Sequence, residues 1–181
     1  GGMQTIFATE TPAFISELVS GATPLAQIKD GVKTDELPSL LDMLLGNRGG
    51  AIGETCALAL LIGFAYLVIR RVIKWYVPAT FVATTFVCYF VFGGFDVVFA
   101  LQHILAGGLL LGAIFMATDY VTTPTTNKGR VVFCVGAGLL TFAIRQFASY
   151  PEGISIAILT MNLLTPYIND FTKKKTLGGV K

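Results

Sequence analysis

The chain has 181 residues, of which 54% are hydrophobic and only 13% charged, with a formal net charge of +2. Ordinary soluble domains carry about 25% charged residues, and a mean hydropathy of +0.71 points the same way. So small a positive balance makes no electrostatic case for nucleic acid as a partner, and lipid is the partner the composition implies.

Taken in chain order, Gly1-Gly2-Met3-Gln4 has neither a charged n-region nor an apolar h-region, so no signal peptide is expected. Residues 1–50 mix polar and apolar positions without a sustained period and read as an arm. Within it, Glu17-Leu18-Val19-Ser20-Gly21-Ala22-Thr23, followed by Pro24 and Leu25, is a run of small and polar residues. Pro38–Gly46 is short and amphipathic, predicting an interfacial or re-entrant helix. Gly49-Gly50 then serves either a tight turn beneath a ligand or a plain helix entry.

A hydrocarbon core of about 30 Å calls for about 20 mostly apolar residues per helix. Five segments qualify: Ile52–Ile69, Val77–Phe95, Val97–Thr118, Val131–Gln146 and Ile154–Ile168. The fold class expected is all-α, a polytopic membrane bundle of five spans over residues 51–171, followed by a basic tail at 172–181. Arg70, Arg71 and Lys74 follow span 1, Lys128 and Arg130 precede span 4, and Lys173, Lys174 and Lys175 follow span 5. Positive charge gathers on the cytoplasmic side, so these places and the carboxyl terminus are expected inside, with the arm and Thr23 outside. Gly108–Gly112 is a GxxxG pattern and Gly136–Gly138 a second small patch. Both read as close helix packing, or as a surface for a flat ring or a lipid tail.

Ionisable groups at membrane depth are costly and tend to be buried. Glu54, beside Thr55, either receives hydrogen bonds near a ligand or caps span 1 at the positive end of the helix dipole. Asp119, Thr122, Thr123, Thr125, Thr126 and Asn127 form a hydroxyl-rich loop, which either holds a polyol chain or caps span 4 and bridges helices. His103 has no companion ligands and reads as a hydrogen-bonded interior residue. Arg145, near the outer end of span 4, either snorkels to the interface or balances an outer-face phosphate. Cys56, Cys88 and Cys134 lie apart with no CxxC pair, so no iron–sulfur or zinc site is written here; Cys134 is a core residue or lines a cofactor path.

Four stretches in order carry a resemblance: residues 17–25, 46–63, 116–130 and 150–162. Their succession resembles the D subunit of the Rnf complex, the ion-translocating ferredoxin:NAD oxidoreductase, and is similar to the B subunit of the sodium-pumping NADH:quinone reductase. It covers the carboxyl-terminal half of that family, whose members have about twice as many spans in two inverted repeats. This chain is accordingly expected to be a portion of a longer protein of the prokaryotic inner membrane.

The resemblance implies that Thr23 bears flavin mononucleotide (FMN) through a phosphoester, with Ser20, Gly21 and Ala22 as its motif. A threonine hydroxyl is a poor nucleophile without a neighbouring base, and the one histidine is in span 3. Attachment therefore falls to a separate flavin transferase, which the small residues Gly21 and Ala22 admit. The implied function is an electron relay, with other membrane and peripheral subunits of the same redox complex as partners. A second flavin such as riboflavin would take Asp119 and Thr122, while Glu54, Thr55 and Arg145 would attend the first. Glu17 stands where the motif often has aspartate, and Tyr120 where Asp-Pro-Val-Thr has proline. The Thr-Thr-Pro-Thr-Thr run fits the Rnf pattern better than the quinone-reductase one. A cofactor-free transporter or channel repeat, or an assembly scaffold, is the competing reading.

Overall fold

The computed structural model describes residues 40–46, 56–148 and 153–172. Every regular element among them is helical: α1 Leu40–Leu45, α2 Ala57–Ile69, α3 Tyr76–Phe92, α4 Val97–Leu105, α5 Leu109–Met116, α6 Asn127–Phe147 and α7 Ile154–Thr172. The central helix is α6, flanked by α3 on one side and α7 on the other. The Ser20–Thr23 motif, Glu54, Thr55 and the basic tail lie outside the described residues.

Small residues set the central contacts, as expected of apolar helices that gain little by leaving lipid. A Cβ on Gly138 would come within 3.2 Å of the Phe81 carbonyl and 3.0 Å of Thr84 Cβ, so α3 presses directly on α6 there. Gly136 turns toward α7, where Met161 Cε would lie 2.6 Å from an added Cβ. The two glycines of one patch thus serve two different neighbours. Gly138→Leu has no room to settle, because the obstruction at Phe81 is backbone. An overpacking cost of about 1–3 kcal/mol is expected, read as a lower unfolding temperature in detergent.

Threonines inside this apolar core return their hydroxyls to their own helices. Thr85 Oγ1 donates to the Phe81 carbonyl at 3.1 Å and Thr141 Oγ1 to the Ala137 carbonyl at 2.8 Å. Both side chains are fully buried, and neither needs water for its hydroxyl.

The expectation of one continuous span over Val97–Thr118 is corrected. Helix α4 starts at Val97, where Asp96 Oδ1 accepts from the Val98 amide at 2.8 Å, and stops after nine residues. Ala106 is extended, Gly107 has φ +67, and α5 leaves at 71° to α4. A glycine in the left-handed region just past the last helical residue is a common helix stop. The GxxxG reading changes with it, since Gly108 lies in the break and Gly112 packs against Ile154 of α7. The short α1 is present as predicted and buries Met43 with Ala106 of the break.

Among the described residues, α6 is the one helix long and apolar enough by length and composition to cross a membrane, and the bent α4–α5 pair makes a second if taken as one broken span. Helices α2 and α3 are apolar but shorter, at 13 and 17 residues. The basic positions after α2 and before α6 come together at one end of the bundle, where Lys74 Nζ donates to Asn127 Oδ1 at 2.7 Å. Helix α7 ends there too, with Thr126 Oγ1 bonded to Thr172 Oγ1 at 2.6 Å.

Candidate functional site

The break between α4 and α5 leaves carbonyls at the end of a helix in the protein interior, where water cannot serve them. Arg145 of α6 supplies the missing donors. Its Nη1 donates to the His103 carbonyl at 2.8 Å and its Nη2 to the Ala106 carbonyl at 3.4 Å. A cation at this position also meets the negative end of the α4 dipole. Arg145 is 5% exposed, so its guanidinium turns inward to the break rather than out to the interface.

Aromatic rings enclose this polar island. His103 lies between Tyr89 and Phe99, each ring 4.2 Å away by centroid, and Phe142 meets Tyr89 edge-on at 5.0 Å. The His103 Nδ1 is 2.9 Å from the Phe99 carbonyl. A carbonyl only accepts, so Nδ1 carries the proton. Sequence reasoning placed Arg145 and His103 in separate spans and missed that the Gly107-Gly108 break joins them. The adjacent glycines were the signal for it.

The hydroxyl-rich loop between α5 and α6 is the second polar region. Asp119 Oδ2 accepts from Thr122 Oγ1 at 3.1 Å, and Oδ1 from the Val121 amide at 3.3 Å. Thr123 donates to the Asp119 carbonyl. The Thr122 carbonyl accepts from Thr165 Oγ1 at 2.9 Å, and Thr125 donates through both its amide and its hydroxyl to Asn169 Oδ1. Thr126 Oγ1 caps α6 by accepting from the Gly129 amide at 3.0 Å. These groups cap one helix and tie the loop to another, and a ribityl chain entering here would displace those bonds. Tyr120, where proline was expected, donates to the Val72 carbonyl and pins the loop to the α2–α3 connection. Thr126→Ala removes the cap and is expected to cost about 1 kcal/mol, while Thr126→Ser restores the unfolding temperature.

Asp119, Thr122 and Arg145 are therefore not gathered in one place. The first two sit in the loop at the basic end, and Arg145 lies near the other end of α6. Cys134 is fully buried in the core and Cys88 half-buried.

Residues 3–178 match the NQR2, RnfD, RnfE family. The chain is 43% identical over 169 residues to the D subunit of the Na(+)-translocating ferredoxin:NAD(+) oxidoreductase complex of Acetobacterium woodii, covering 92% of this chain and 52% of that protein. It is 44% identical over 139 residues to the D subunit of the proton-translocating ferredoxin:NAD(+) oxidoreductase complex of Clostridium ljungdahlii, covering 75% of this chain and 42% of that one. With the D subunit of the ion-translocating oxidoreductase complex of Halorhodospira halophila the figures are 36% over 192 residues, 100% and 54%. The chain spans about half the length of the curated relatives it matches. The match runs through nearly all of the residues that build the bundle, the break and the loop: the chain belongs to the NQR2, RnfD, RnfE family.

Proposed function

We propose that this chain is part of a membrane subunit of an ion-translocating ferredoxin:NAD oxidoreductase of the Rnf type, and that it holds FMN by a phosphoester to Thr23. Membership of the family carries the reading, together with the Ser20-Gly21-Ala22-Thr23 motif at its expected place ahead of the helices. The bound flavin supplies reversible uptake and release of electrons. The chain's own contribution is placement. The Thr23 hydroxyl is the ester oxygen, Gly21 and Ala22 leave room for the transferase, and the bundle anchors the arm to the membrane. Other subunits of the complex are the partners, across membrane and peripheral faces.

The same reading takes the bundle as five crossings and one of two inverted repeats in the prokaryotic inner membrane. The arm of residues 1–50 then faces outward and the tail of residues 172–181 faces the cytoplasm. What supports that orientation is the gathering of Arg71, Lys74, Arg130 and the end of α7 at one end of the bundle. The broken α4–α5 pair suits a transporter-like fold, in which irregular backbone at membrane depth is tolerated where protein satisfies it.

A denaturing gel of the protein from a host with the transferase tests this directly. A fluorescent flavin band that survives denaturation is the expected result. A dark band, with flavin transferase shown to be active on another acceptor in the same cells, leaves the cofactor-free transporter repeat as the reading.

A further inference from the structure

A pocket of about 90 Å³ opens at the basic end of the bundle, between the α2–α3 connection, the end of α5 and the start of α6. Three cations line it, Arg71, Lys74 and Arg130, and among the described residues no carboxylate does. Among the described residues none of the three forms an ion pair. Lys74 uses one donor on Asn127. Arg130 uses only its Nε, on the Pro124 carbonyl at 3.0 Å, which leaves both terminal nitrogens of its fork. Arg71 sits at φ +57, a conformation that a long side chain seldom adopts. The Arg71 and Val72 amides hold that turn by donating to the Val68 and Leu67 carbonyls, at 2.9 and 3.0 Å.

Three like charges around so small a space repel one another, and at the edge of a bilayer they do so with less screening than in bulk water. A bound anion removes that repulsion. Its volume of about 90 Å³ leaves room for a tetrahedral oxyanion. Two guanidinium groups and an ammonium favour phosphate over a carboxylate, since a guanidinium fork pairs with two phosphate oxygens at once. Trp75 and Val121, next in sequence to the lining residues Lys74 and Tyr120, are 64% and 88% exposed, an apolar and aromatic border of the kind found at the lipid headgroup level.

We infer that Arg71, Lys74 and Arg130 form a binding site for a phosphate ester, and the apolar border favours the headgroup of an anionic phospholipid as its source. Its three cations belong to the described bundle, and the site does not rest on Thr23.

Calorimetric titration of the full-length subunit in detergent tests it, with short-chain phosphatidylglycerol and inorganic phosphate as the two probes. Saturable phosphatidylglycerol binding is expected, weakened about fivefold by each lost cation and further weakened by salt. Lys74→Gln removes an exposed charge, and Arg71→Asn removes the other while keeping a residue that tolerates positive φ. Lys74→Arg retains binding, as does the flavin-free Thr23→Ala variant, so a failed flavin assignment leaves this result intact. Binding of inorganic phosphate with the same sensitivity to substitution identifies a soluble phosphate as the source. Absence of saturable binding by either probe, or equal affinities in wild type and both charge-removal variants, overturns the site.

Discussion

Thr23→Ala is expected to abolish covalent flavin entirely and to bring electron transfer through the assembled complex down to background. The ester bond needs an oxygen on the side chain, and alanine offers none. Thr23→Ser keeps the oxygen and is expected to retain flavin, with occupancy limited by how well the transferase accepts it. Gly21→Leu leaves the hydroxyl untouched but fills the space that an enclosing enzyme needs, so partial loss of flavin is expected. Flavin content per protein, read from absorbance after denaturation, orders the series wild type, Ser, Leu, Ala. Unchanged electron transfer in the alanine variant would mean that the chain serves only as a scaffold.

Arg145→Met is expected to be the most destabilising single change in the bundle. It removes two charge-assisted hydrogen bonds to the carbonyls of His103 and Ala106, each worth about 1.5–3 kcal/mol. Methionine has no donor to offer those carbonyls, and water does not reach a site that is 5% exposed. A total of about 3–6 kcal/mol lowers the unfolding temperature of a domain this size on the order of 10 °C. Arg145→Lys keeps the charge near the helix end but offers a single point donor in place of a fork, so roughly half the loss is expected. Faster amide exchange in α4 accompanies the shift if uncapping is the cause. Thermal unfolding of purified Arg145→Met at the wild-type temperature would show that the break stands without its cap.

Much of the bundle was legible because apolar length is a strong signal. Helix α6 matches the predicted Val131–Gln146 and extends four residues earlier, to where Thr126 supplies a cap. The Gly136–Gly138 patch packs as its composition suggests, between two neighbours. The break at Ala106–Gly108 was not legible from hydropathy, and the adjacent glycines were its one local signal. Those residues are as apolar as the helices they join, so hydropathy runs straight through them, and the turn depends on Gly107 taking a positive φ. The carbonyl partners of Arg145 were hidden for the same reason. Near the end of an apolar span an arginine has the interface as its obvious destination, and only the break 39 residues earlier gives it an interior one.

The loop around Asp119 teaches a different lesson. Its threonines have the right chemistry for a polyol ligand and equally for helix caps. Composition cannot separate the two; the structure shows the capping role for Thr126, which meets Gly129 and Thr172, and a tie to α7 for Thr125, which meets Asn169. The Ser20–Thr23 motif, by contrast, was read from order and identity of residues alone.

Mass mapping of the peptide that contains Thr23, from protein matured in a host with the flavin transferase, is the most direct measurement. The expected peptide is heavier by one FMN less one water, with the added mass located by fragmentation on the Thr23 side chain. A peptide of unmodified mass, from cells whose transferase labels another acceptor, would contradict the electron-relay assignment.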